Sequence, residues 1–409
     1  MSQQGPILIV SSAGRPSFAP ALNEAGLFPV IDTEWAEASR AVVQVQPAAI
    51  LAAMPDTADQ RLEALAIQVA ARKPYLPLIA IDPDSRLPEN ALPFSQAGGS
   101  FDRLMARLRA GLRVRTLHMT VLRRLEDRSV QSRLPDTDPA RDATVLLIGR
   151  GTAYPALSVA LGERMGVVGA LSIEAAANHL NTRDIDGVVL GEGFTPRVVH
   201  AFLMVLSEDA RFRNLPVVLT TTDLAPTYDL SNLEIISGQP DHVAVNALPL
   251  IRQHAFEAQL SRTLRAIDAG GLLDPQTGLL TATAFERNFT TAVKQTLSDG
   301  GGLSVVRFAF NPAHPRAQLD GARILSRLMR QMDFGAAQDD GAVIAVLADT
   351  DLRAAHSIAR RLSSVMRQTS HGKRGGRSDP AVSVASLQPA DSAASLLARL
   401  HDDAHRAAS

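Results

Sequence analysis

Cysteine is absent from the 409 residues, which excludes disulfides, thiolate catalysis and cysteine-ligated zinc and fits a reducing compartment. Aromatic residues are scarce, at 4% with one tryptophan, so stacking platforms for single-stranded nucleic acid are poorly supplied. Lysine is nearly missing: it stands only at Lys73, Lys294 and Lys373, and arginine supplies the other 38 of the 41 basic residues. Neither sign of charge dominates, the formal net being −1, which argues against bulk binding to nucleic acid or a membrane surface. No run of about 18 apolar residues occurs, so no membrane span is expected. The segment from Met1 to Pro6 lacks the basic region of a secretory leader, and a cytoplasmic location is the expectation. The ten histidines show no paired ligand spacing, so neither a metal site nor a cofactor is expected.

What is present is enough apolar content, 46%, for several folded cores, about three at roughly 100–200 residues each. Short apolar runs alternate with amphipathic stretches, the mark of α/β units. The first unit offers Ile7–Val10, Ala49–Ala52 and Leu76–Ile81 as strands. The second offers Val145–Ile148, Gly187–Leu190, Pro216–Thr220 and His242–Val245. Bounded runs of this length suit strands covered on both faces of a parallel sheet. Between them, Arg103 to Arg133 carries nine arginines and few acids. Leu108, Leu112, Leu117 and Val121 recur there at helical intervals, which predicts a long basic helix, either a dimer stalk or partner face or a closing helix with a solvated arginine face. A second helix is expected from about Leu248 to Ala269, broken by Gly270 and Gly271.

Near the C-terminus, Asp274-Pro275-Gln276-Thr277-Gly278-Leu279-Leu280 with Phe285 resembles the opening of a GGDEF (diguanylate cyclase) domain. Arg330-Gln331-Met332-Asp333, five residues before Asp339-Asp340-Gly341-Ala342-Val343, resembles the family's Arg-x-x-Asp pair ahead of its Gly-Gly-Asp/Glu-Glu-Phe turn. The two preceding units resemble the receiver domains of bacterial response regulators in strand spacing, and the order receiver, receiver, GGDEF resembles PleD-type regulators. The implied fold is two flavodoxin-like doubly wound domains followed by a GGDEF-type α/β domain with a central mixed sheet. The expected boundaries are 1–115, a basic helical linker 116–142, 143–255, a linker helix 256–270, and 271–409.

A phosphorylatable receiver needs an acid pair, a phosphoryl-accepting Asp and a Lys around Mg²⁺. The first unit has Ser11-Ser12 for the pair and Met54-Pro55 after its central strand, and the second has Gly149-Arg150-Gly151 and Gly191-Glu192-Gly193, with Thr220 keeping a hydroxyl and Asn246 in place of the Lys. Hydroxyls and glycines do not build a Mg²⁺ site. Glu192 and Asp56 read as solvated loop acids, so no phosphorylation site is expected in either unit.

In the third unit the family's metal acid is missing from Leu303–Phe310, the guanine-gripping segment is shortened to Asn311-Pro312-Ala313-His314-Pro315, and the signature glycines are acids. The resemblance then implies loss of the nucleotide cleft, no catalytic residue, and a chain that is not an enzyme. It also implies a retained c-di-GMP site. Arg330 and Asp333 are expected on one face at the end of a helix Arg323–Met332, with Arg361 or Arg360 as further cations, since a guanidinium reads a guanine edge or phosphate bidentately. Arg327 is expected on a solvated face. The leading expectation is a non-catalytic c-di-GMP receptor that signals through a homodimer or unidentified protein partners. The alternative is a nucleotide-independent scaffold, and an active cyclase comes last.

Overall fold

The computed structural model describes residues 5–12, 14–26, 28–54, 59–83, 86–96, 101–126, 133–221, 228–371, 376–377 and 379–408; Asp56 falls outside them. The first unit runs β1 (Ile7–Ser11), α1 (Ala19–Glu24), β2 (Val30–Glu34), α2 (Ala38–Val45), β3 (Ala49–Ala53), α3 (Asp59–Ala70), β4 (Leu78–Ile81), β5 (Ala91–Phe94) and α4 (Phe101–Leu125). Its sheet has the order β2-β1-β3-β4-β5, with all four pairings parallel. This 2-1-3-4-5 order is the flavodoxin-like doubly wound arrangement. The second unit contributes β6 (Thr144–Ile148), α5 (Tyr154–Gly162), β7 (Gly166–Ala170), α6 (Ile173–Thr182), β8 (Gly187–Leu190), α7 (Pro196–Glu208), β9 (Val217–Leu219), β10 (Leu233–Ile235) and α8 (Pro240–Asp268). Its five strands repeat the same parallel order.

The third unit is built of α9 (Ala282–Asp299), β11 (Leu303–Ala309), α10 (Pro315–Leu328), β12 (Phe334–Ala337), β13 (Ala342–Ala348), α11 (Leu352–Met366), β14 (Thr369–His371), β15 (Gly376–Arg377), β16 (Ala381–Ser386) and α12 (Ala393–Ala408). The order β12-β13-β11-β16 with every described pairing antiparallel corrects the expected mixed sheet. The pattern β-α-β-β-α-β is the ferredoxin-like split βαβ: each helix crossover returns parallel, but a third strand occupies the gap, so neighbours run antiparallel.

One further expectation is corrected. The run His242–Val245 is helical, because Pro240 sits at the first turn of α8, where its fixed φ favours a helix start; Asn246 accordingly lies inside α8, and the fifth strand is β10. Strand β14 pairs antiparallel with β15 and with β7, extending the second unit's sheet.

Helices α4 and α8 cross at the seam of the first two units. α8 runs without a break through the expected boundary at residue 255, and left-handed Gly270 and Gly271 follow its end. Arg109, Arg123 and Arg124 of α4 are exposed, but its other arginines are not a solvated stripe. Arg107, 1% exposed, bonds Glu234 of β10 at 2.9 Å and the Ser231 carbonyl at 2.9 Å. Arg103 donates to the Leu233 carbonyl at 2.7 Å, and Arg113 pairs with Glu257 of α8. Burial pushes the Arg107 guanidinium down and the Glu234 carboxyl up, and their mutual attraction opposes both shifts. One apolar cluster joins Ile79 and Leu108 of the first unit to Leu147 and Ile251 of the second.

Candidate functional site

The opening loop of the third unit is held by its own side chains. Asp274 Oδ1 accepts from the amides of Gln276 (3.1 Å) and Thr277 (2.7 Å) and from the Thr277 hydroxyl (2.8 Å). Gly278 takes a left-handed φ of 76° with Ser326 packed against it, which leaves little room for a side chain. Asp274 is thus a loop staple.

Helix α10 stops at Leu328, earlier than expected, and Met329 leaves it in an extended conformation. Arg330 and Asp333 therefore sit in the turn before β12 and not on a helix face. The Asp333 amide donates to the Arg330 carbonyl at 3.0 Å. The Asp333 carboxylate accepts from the Arg330 amide at 3.3 Å and the Ala348 amide at 3.1 Å, pinning the turn to the end of β13. The Arg330 guanidinium is exposed and takes part in none of the hydrogen bonds or ion pairs found among the described residues.

Its neighbours on α10 are spent. Arg327, expected on a solvated face, pairs with Asp184 at 2.9 Å and reaches the Leu180 and Asn181 carbonyls of α6. Arg323 donates to the carbonyls of Gln276 (2.9 Å) and Asp142 (3.0 Å). Arg316 bonds the carbonyls of Arg141 and Ala143. One face of α10 is therefore docked on the second unit, where Arg183 also reaches the Val365 carbonyl.

Helix α11 starts on Asp351, whose carboxylate caps the Ala354 amide at 2.7 Å, and buries Ala355, Ala359, Leu362 and Met366 at helical spacing. That leaves Arg360 and Arg361 exposed. Arg360 shares an open hollow of about 620 Å³ with Leu352, Arg353 and His356; Arg330, Asp333 and Arg361 do not line it.

At the signature turn, Gly341 (φ 85°) closes the connection from β12 to β13. Asp340 pairs with Arg307 at 2.7 Å and accepts from the Ala342 amide at 3.0 Å. Partial burial raises this carboxyl, but the Arg307 and Ala342 bonds and the charges of Arg307 and His401 outweigh it, leaving the group below its ordinary range. Among the described residues no cluster of three acids or histidines could hold a metal. A cavity of about 750 Å³ lies beside the start of α10, lined by Arg141 and Asp142 of the connector, Asp274, Thr277, Arg316 and Asp339. Its wall comes partly from the connector, which the sequence of the third unit alone does not reveal. Arg316 and Arg141 were the residues that sequence reading missed, and only the density of arginine hinted at them.

No protein-family model and no curated protein matches the sequence. About a third of the chain is similar to solved GGDEF domains. One is the FimX GGDEF domain from Pseudomonas aeruginosa, 19% identical over 34% of this chain and 93% of that one, with a TM-score of 0.31. Another is the DgcB GGDEF domain from Caulobacter crescentus in complex with c-di-GMP, 15% identical over 33% and 88%, TM-score 0.28. A third is the active GGEEF domain of a diguanylate cyclase from Vibrio cholerae, 14% identical over 29% and 85%, TM-score 0.28. The expectation that the chain is not an enzyme does not stand, because the domains it resembles include an active one. Among the described residues, no helix is long and apolar enough to cross a membrane.

Proposed function

We propose that the chain acts in cytoplasmic c-di-GMP signalling and binds the cyclic dinucleotide through the third unit. Arg330 is the cation that reads a guanine edge or phosphate, Asp333 fixes the turn that presents it, and Arg360 or Arg361 of α11 adds a further cation. The two flavodoxin-like units are receiver-type domains that pass ligand occupancy to a second copy or a protein partner. The observation that carries this reading is the contrast on one short stretch. Arg316, Arg323 and Arg327 are consumed by the connector and the second unit, whereas Arg330 is exposed on a turn fixed by two carboxylate–amide bonds. The turn fixes the backbone that carries Arg330 and leaves its exposed guanidinium available for a bidentate acceptor.

The test is calorimetric titration of the full chain with c-di-GMP. Saturable binding that Arg330→Ala weakens by about ten-fold or more, about 1.4 kcal/mol, is the expected result. Binding unchanged in Arg330→Ala, or none in the wild type, overturns the assignment. GTP with Mg²⁺ in a parallel incubation, followed by chromatography, measures turnover separately.

A further inference from the structure

A second cavity, of about 260 Å³, lies far along the chain from Arg330, where the end of α3 meets α4 and α8; Tyr75, His118, Gln253 and Phe256 form part of its wall. Two polar atoms in that wall lack a partner at full hydrogen-bond distance, His118 Nε2 and Gln253 Nε2, the Gln253 amide lying beside the Tyr75 hydroxyl, and both residues are only 5% exposed. Buried polar groups are ordinarily satisfied, so an orphan pair sharing one cavity calls for an explanation.

Both atoms are donors. The Tyr75 amide donates to His118 Nδ1 at 3.0 Å, which makes Nδ1 the acceptor of the ring. Burial, with Lys73 and Arg115 nearby, lowers the imidazole pKa to about 4. The neutral ring therefore carries its hydrogen on Nε2. The Gln253 amide nitrogen can only donate.

The rest of the wall is aromatic and cationic. Phe256 lies edge-on to His118, with centroids 5.1 Å apart at 86°, and 5.8 Å from Tyr75. Arg72 and Lys73 stand at the margin with Glu89 and Asp136, while Arg252 is occupied by Asp138 at 2.9 Å. An apolar cavity of about 150 Å³ holds benzene, so this one has room for a single ring with a short polar substituent.

We propose that this cavity binds a small monocyclic aromatic carboxylate, its oxygens accepting from His118 Nε2–H and Gln253 Nε2–H and its ring packed against Phe256 and Tyr75. The acid supplies the acceptors that both donors lack, and the apolar wall receives the ring. The site is independent of the c-di-GMP reading.

Benzoate, benzamide and toluene titrated into the full chain test it. Benzoate should bind saturably and more tightly than benzamide, with toluene weakest. His118→Phe and Gln253→Met, which keep bulk and remove a donor, should each weaken benzoate by roughly ten-fold. Should His118→Phe fail to fold, Gln253→Met carries the same reading. No saturable binding of benzoate, toluene matching benzoate, or benzoate bound equally by a folded variant would each overturn the proposal.

Discussion

At the seam of the first two units, Arg107 is 1% exposed and gives its hydrogens to Glu234 and to carbonyls of both units. On the open side of the third unit, Arg330 lies in solvent beside a carboxylate that takes backbone amides instead of the guanidinium. The side chain is the same and the outcome opposite, because the carboxylates differ in what else they must satisfy. Glu234 accepts one backbone amide, that of Ser95, and still pairs with the cations facing it, whereas Asp333 is committed to closing a turn. Arginine at a seam supports the assembly; arginine left over at a fixed turn is free for a ligand.

Measurements can break this contrast, beginning where the effect is largest. Arg107→Ala strands the Glu234 charge in the interior and should cost about 3–5 kcal/mol, read by urea unfolding. Replacing both residues with methionine should recover most of that loss. A single substitution costing under about 1 kcal/mol would mean that the seam tolerates water, as exposed pairs do.

Burial acts on histidine in the same way. The pKa of His179 is lowered to about 4 by burial and the nearby Arg183, as that of His118 is by its own surroundings. An unfolded histidine titrates near pH 6.5, so between about pH 6.5 and 4 the unfolded chain binds protons that the folded chain refuses. Stability is full above that window and declines as pH falls through it. His179→Gln should make the decline shallower in chemical denaturation measured across that range, and an unchanged slope would show the ring to be charged in the folded state.

On the open side the effects are smaller. Asp333→Ala removes the acceptor of two amides in a partly exposed turn and should cost about 1 kcal/mol. Arg330→Ala should change stability by less than about 0.5 kcal/mol while weakening c-di-GMP binding. A large stability loss in Arg330→Ala would place that residue with the seam arginines.

Much of the sheet architecture was legible. Ile7–Val10, Ala49–Ala52 and Val145–Ile148 are central strands fully buried on both faces, so their apolar runs announce them. β2 did not announce itself: it is an edge strand with no fully buried position, and acid and threonine interrupt its apolar pattern. β7 carries Gly166 and Gly169, where a side chain would strike Arg316 and the Tyr154 hydroxyl, and glycine weakens a strand signal. In the candidate site, the spacing of Arg330 and Asp333 was visible, but not that Asp333 serves the backbone or that Arg327 docks on α6.

The sequence by itself determined the parallel cores, the glycine stop after α8, the self-capped loop at Asp274 and the lack of thiol chemistry, because each rests on short-range periodicity, backbone preference or composition. Tertiary structure alone decided which arginines are spent and which remain free. It also decided the pairing of β14 with β7 and the two cavities walled by residues far apart in the chain. Those outcomes depend on where a carboxylate, carbonyl or sheet edge arrives from another unit, and local pattern holds no record of such arrivals.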